Sequence, residues 1–88
     1  MYLHIGNDES IPLREIIAII DLDTVASSLP VQELLDIAQR NGKLVSPVGG
    51  SKPKSCIITD QKYYLSTISA LTLARRVKQW GMDEEVFA

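Results

Sequence analysis

The sequence predicts an α+β fold: a small mixed or mostly antiparallel sheet carrying two helices. Short runs rich in β-branched residues are separated by turn residues, and two longer stretches repeat apolar residues at helical spacing. The chain has 88 residues, 45% of them hydrophobic and 23% charged, which is ordinary globular composition and excludes wholesale disorder. That length leaves room for one domain, read as residues 1–81, with 82–88 as an acidic, mobile tail. The expected order is β-β-α-β-β-β-α.

Tyr2-Leu3-His4-Ile5 alternates weakly and stops at Gly6-Asn7-Asp8, a turn signal, so a short strand opens the chain. After Pro12, Glu15 to Asp21 is nearly continuous in apolar character and too short for a typical helix. It reads as a strand buried on both faces. In so small a domain a second covering layer implies another copy of the chain.

Ser28 and Pro30 open a helix, with the Ser28 hydroxyl placed to cap a free first-turn amide. Val31, Leu34, Leu35 and Ala38 form its apolar stripe, and Asn41-Gly42 ends it. Lys43 to Ser46 makes a short strand before Pro47, and residues 49–54 form a basic, glycine-rich loop. Ser55 to Thr59 and Tyr63 to Ser66 pair as a hairpin about Asp60-Gln61-Lys62. Alternation points Tyr63 and Tyr64 to opposite faces. A last helix is capped by Ser69, buries Ala70, Leu73, Val77 and Trp80, and stops at Gly81.

Charge is partitioned along the chain. The net charge of −2 conceals −5 up to residue 40, +6 over residues 41–82 and −3 beyond. Such asymmetry can build a basic surface on a mildly acidic protein. The longest apolar run, residues 16–20, is far short of the ~20 residues of a membrane span. Met1-Tyr2-Leu3-His4 lacks a basic leader, and a soluble, cytoplasmic protein with no membrane contact is expected.

Catalytic constellations are sparse. His4 and Cys56 are the single residues of their types and could pair as base and nucleophile, but Cys56 sits in an apolar run and no third group orients them. Asp21 and Asp23 flank Leu22, and their plainer role is to end a strand. Gly49-Gly50-Ser51-Lys52 lacks the spacing of a nucleotide-binding loop, and Pro53 stands where a helix should start. The loop does suit a DNA phosphate: glycines permit close approach, Ser51 brings a hydroxyl, and Lys52 and Lys54 bring charge. Aromatic residues are not interleaved with the bases, which disfavours single-stranded RNA. Neither enzyme chemistry nor a cofactor or metal is expected.

The order and spacing of these features resemble a known family. His4-Ile5-Gly6, the segment 14–20, the helix 31–42 with its glycine end, the basic glycine loop, the strand 55–60 and Leu65-Ser66 together resemble the RemA/RemB family, regulators of extracellular matrix genes in spore-forming bacteria. The resemblance covers residues 2–80, and the acidic tail and the spacing after the second strand look more like the RemB branch. It implies a DNA-binding transcriptional regulator of matrix and biofilm genes that closes into a homo-oligomeric ring. Family DNA contacts involve an arginine just before the second strand and an arginine pair in the glycine loop. Here Arg14 lies beside the first position, next to Glu15, and the pair falls on Ser51 and Lys52, with Lys54 close by. The resemblance therefore implies Arg14, Ser51, Lys52 and Lys54 as the contact set for double-stranded DNA. Lysine offers phosphate a point charge where arginine offers a fork, and Ser51 brings no charge. The alternative is a family member that keeps the ring and acts as a scaffold for a protein partner, with little or no DNA binding.

Overall fold

The computed structural model describes residues 1–6, 9–25, 28–46 and 52–79. Along the chain it contains strands β1 (Tyr2–Gly6) and β2 (Glu9–Pro12), a 3₁₀ turn over Leu13–Glu15, then β3 (Ile16–Asp21) and helices α1 (Leu22–Val25) and α2 (Leu29–Arg40). Strands β4 (Leu44–Val45), β5 (Ser55–Thr59) and β6 (Tyr63–Ser66) follow, and helix α3 (Ala70–Gln79) completes the described chain. The expected α+β class and element order are observed. Two elements are added, β2 and the single turn of α1, and the strands divide between two sheets. The expected helix end at Trp80-Gly81 and the acidic tail lie outside the described residues.

β1 and β2 form an antiparallel pair, and β3-β5-β6-β4 form a four-stranded mixed sheet. In that sheet β5 runs antiparallel to both β3 and β6, while β4 joins β6 in parallel. The return strand β2 escapes sequence reading because Glu9-Ser10-Ile11-Pro12 holds only one residue, Ile11, that enters the core. Gly6, at φ +98°, sits where the β1–β2 register shifts, a conformation natural to glycine.

The two faces of the larger sheet are covered differently. Ile19 and Ile57, partners across β3 and β5, join Leu3, Ile11, Leu73 and Val77 in one buried cluster beneath the β1–β2 pair and α3. Successive strand residues point to opposite faces, so Ile58 faces away from that cluster. It lines a groove of about 330 Å³ with Leu34, Ile37 and Ala38 of α2, Tyr63 of β6 and Ile17 of β3. A register shift between Ile16 and Ala18 explains Ile17: the extra residue turns its side chain outward, leaving it 56% exposed. The expectation of a strand buried on both faces is thus corrected. A single copy closes one face of β3 and leaves the other half open, because α2 reaches the sheet chiefly over β4, at the opposite edge.

Buried hydroxyls join these layers. Ser66 Oγ donates to the Ile5 carbonyl at 2.7 Å and accepts from the Ile68 amide at 3.0 Å, tying the larger sheet to β1. Ser55 Oγ donates to the Ile68 carbonyl at 2.7 Å. Thr59 shapes the expected β5–β6 turn, its hydroxyl accepting from the Gln61 and Lys62 amides and donating to the Lys62 carbonyl. Burial of polar atoms is tolerable because each finds a partner.

At the helix ends the expectations divide. Ser69 caps α3 by accepting from the Thr72 amide at 3.2 Å. Ser28 is the N-cap of α2, but its side chain makes no capping bond; its carbonyl accepts from Gln32 at 3.0 Å. Gly42, at φ +69°, supplies the left-handed turn beyond α2. Tyr63 and Tyr64 part as expected, Tyr63 to the groove and Tyr64 against the buried cluster.

Candidate nucleic-acid interface

Lys54 and Lys52 lead into β5, and both side chains are exposed. The Lys54 main chain is held on both sides: its amide donates to the Ser66 carbonyl at 2.8 Å and its carbonyl accepts from the Leu22 amide at 3.0 Å. A charge that the sequence places on a loop is therefore anchored to the sheet end. Ser51 lies outside the described residues.

Arg14 is exposed in the 3₁₀ turn that enters β3. The antiparallel register pairs Ile16 with Thr59 and Asp21 with Ser55, so Arg14 and Lys54 stand at opposite ends of the β3–β5 ladder. At roughly 3.3 Å per residue, six strand residues separate them by about 20 Å. One protomer does not gather the contact set onto one phosphate. It presents two cationic ends.

Arg14 has company that sequence reading did not assign to it. β3, β4 and β6 all run the same way and begin at the same end of the sheet, and a base precedes each start: Arg14, Lys43 and Lys62. All three are exposed, and the Lys43 carbonyl accepts the Tyr63 amide at 2.9 Å, which locks two of the strand starts together. With neighbouring strands about 4.8 Å apart, the row spans some 15 Å. The signal is a basic residue within two positions of a strand start, but only the strand directions align the three. Glu15 and Asp60 are exposed at the same end and temper the potential. Burial, and then Glu9 and Glu15, raise the pKa of the Tyr64 phenol above its ordinary value.

The catalytic alternatives are not assembled. Cys56 is buried in β5 and its thiol is pushed up to about 12 by desolvation, the reverse of an activated nucleophile. His4 is exposed in the other sheet, and its carbonyl accepts from Arg76 Nη1 at 3.0 Å. Asp21 serves the chain locally: its carboxylate accepts from the Asp23 amide at 2.9 Å and the Thr24 hydroxyl at 3.1 Å, organising α1. Among the described residues no group of three or more His, Cys, Asp or Glu side chains could hold a metal ion, and no helix is long and apolar enough to cross a membrane.

Comparison with known proteins supplies what geometry alone does not. The family model for RemA-like proteins, described as extracellular matrix regulatory protein A-like, matches residues 2–77. The chain belongs to this family. It is 36% identical over 78 residues to extracellular matrix regulatory protein B of Bacillus subtilis (strain 168), covering 89% of this chain and 91% of the relative. Two further relatives, each named "Putative regulatory protein", come from Thermodesulfovibrio yellowstonii and Nitratidesulfovibrio vulgaris. The first is 31% identical over 86 residues, covering 97% of this chain and 96% of its own length. The second is 32% identical over 82 residues, covering 92% and 89%.

Membership of a family of extracellular matrix regulatory proteins gives the two cationic ends a regulatory setting. The matched span, residues 2–77, holds Arg14, Lys43, Ser51, Lys52, Lys54 and Lys62, so both ends belong to the shared domain.

Proposed function

We propose that this member of the RemA-like family is a non-enzymatic, cytoplasmic, DNA-binding transcriptional regulator of matrix and biofilm genes that works as a homo-oligomeric ring. The observation that carries the reading is the arrangement of exposed cations at the two ends of a rigid ladder, Arg14 with Lys43 and Lys62 at one end and Lys52 with Lys54 at the other. These residues hold phosphate oxygens, and Ser51 adds a hydroxyl contact. Ends about 20 Å apart meet phosphates some six base pairs apart along one strand, at roughly 3.4 Å per step. Repetition around a ring multiplies weak contacts into avidity. Affinity is then led by phosphate and DNA shape, with little base readout.

Fluorescence anisotropy of a labelled AT-rich duplex, titrated at two salt concentrations, tests this reading. A particle engaging six to ten phosphates loses about 10³–10⁵-fold in affinity between 50 and 200 mM salt. Lys52→Ala with Lys54→Ala weakens binding and flattens the salt slope by about one for each phosphate no longer held, with particle mass unchanged. A salt-independent affinity would sink the phosphate-led mechanism.

A second reading is a ring that serves as a scaffold for a protein partner and binds DNA weakly or not at all. It is favoured by Asp21 and Asp23, which flank Leu22 at the same ladder end as Lys54 and offset its charge. Absence of binding at either salt, from folded and assembled protein, would leave the scaffold as the better reading.

A further inference from the structure

The two longer helices carry exposed stripes that match each other and cannot meet within one chain. On α2, Leu29 and Ile37 are 64% and 50% exposed, and Glu33 and Asp36 lie exposed between them. Spacings of three and four residues place all four on one side of the helix. Arg40, at the helix end, turns its Nε to the Asp36 carbonyl at 3.4 Å. On α3, Leu71 is 62% exposed and Arg75, four residues on, is exposed beside it. One stripe is apolar and acidic, the other apolar and basic.

Their positions on opposite faces of the sheet follow from the strand alternation: α3 packs over Ile57, whereas α2 lines the groove with Ile58. Two different, complementary patches on opposite sides of a protomer are what a head-to-tail interface requires, and such interfaces generate rings when the rotation closes.

We infer that α2 of one copy packs antiparallel against α3 of the next, with Leu71 entering the groove between Ile17 and Ile37 and Arg75 reaching Glu33 and Asp36. The register is set by spacing. Ile37 lines the groove and Leu29 does not, and Ile37 and Glu33 are four residues apart on one helix as Leu71 and Arg75 are on the other. With Leu71 seated against Ile37, the Arg75 side chain therefore meets Glu33 only when the helices run in opposite directions. Among the described residues no element covers Ile17, and the part of the groove lined by Ile17, Leu34, Ile37 and Ile58 is apolar and suits a leucine side chain, with Asn41, Lys43 and Asp60 adding polar groups to the lining. Charge complementarity fixes the partner as a second copy and the orientation as head-to-tail, since two α2 stripes would repel. The inference rests on the ring reading and deepens it by naming the surfaces that join the subunits.

Charge exchange tests it on the full chain, with particle mass read by light scattering and native mass spectrometry, and folding by circular dichroism. Glu33→Arg combined with Asp36→Arg, and separately Arg75→Glu, each reduce the particle to the 9.7 kDa of a single chain. Mixing the two folded variants restores assembly, in particles that contain both chains alternately, because each reversed stripe now finds its opposite. Lys62→Glu, a charge reversal outside the interface, leaves the mass unchanged. Either variant retaining the wild-type mass, or a mixture that stays monomeric, overturns the assignment. Loss of DNA binding by Arg75→Glu at unchanged mass would place that side chain on DNA and overturn it equally. A wild-type chain already at 9.7 kDa would instead reject the ring itself, a result distinguishable from an intact ring joined through other surfaces.

Discussion

Ile57 and Ile58 are neighbours in β5 with opposite surroundings. Ile57 is fully buried under α3 and the β1–β2 pair, whereas Ile58 is half-buried in a groove that α2 leaves ajar. Among the described residues one face of the sheet is fully covered and the other only in part. The difference teaches that the two faces of one sheet do different work: the closed face supplies the core, and the open one keeps apolar area at the surface. Cys56 refines the boundary. By alternation it shares the face of Ile58, yet it is buried, because the sheet there is met by α1, with its buried Leu22. The open face is therefore closed at its α1 end and open toward Ile17.

The sharpest way to break this comparison is truncation on each side of the sheet. Ile57→Ala removes methylenes from a filled core and is expected to cost about 2–5 kcal/mol in urea unfolding. Ile58→Ala, in the same strand, should cost well under half as much when the single chain is measured under dissociating conditions. Equal losses would mean that the two faces are equally packed.

Ser66 tests how the closed face is held. Its hydroxyl donates to the Ile5 carbonyl across buried ground and accepts from the Ile68 amide two residues on. Ser66→Ala leaves those groups without it and should destabilise by about 1–3 kcal/mol, read as a lowered unfolding midpoint. A neutral result would show that the tie between the two sheets is dispensable.

The smallest effect is read in alkaline solution. Cys56 is raised from 9.0 to about 12 by burial, so folding favours its neutral thiol. That contribution is fully present below pH 9, where both states keep the proton, and declines as pH rises from 9 toward 12 and the unfolded thiolate forms. The slope approaches about 1.4 kcal/mol per pH unit. Cys56→Ala should make the alkaline decline shallower, and an identical decline would show that other groups carry it.

Local patterns were enough for much of the fold. The stripe of α2, its stop at Gly42, the Ser69 cap, the hairpin turn and the opposite aims of Tyr63 and Tyr64 all depend on neighbours within a few residues, and all are present. β2 was not legible because one inward residue, Ile11, makes no periodicity. α1 was not legible either: its four residues are held by the Asp21 carboxylate rather than by an apolar repeat. The candidate site divides in the same way. Its residue types were visible in the basic loop and at Arg14, but not the separation of Arg14 from Lys54.

By itself, then, the sequence determined the two longer helices and every strand except β2, where charge accumulates, and the order and spacing that resemble one regulatory family. These follow from short-range backbone and side-chain chemistry. Only the tertiary structure decided that Lys43 and Lys62 stand with Arg14, because that depends on three strands starting at one end of a sheet. It also decided that Ile17 faces outward, because a register shift against a distant strand turns it. Both are products of pairing between residues far apart in the chain, which no local pattern records.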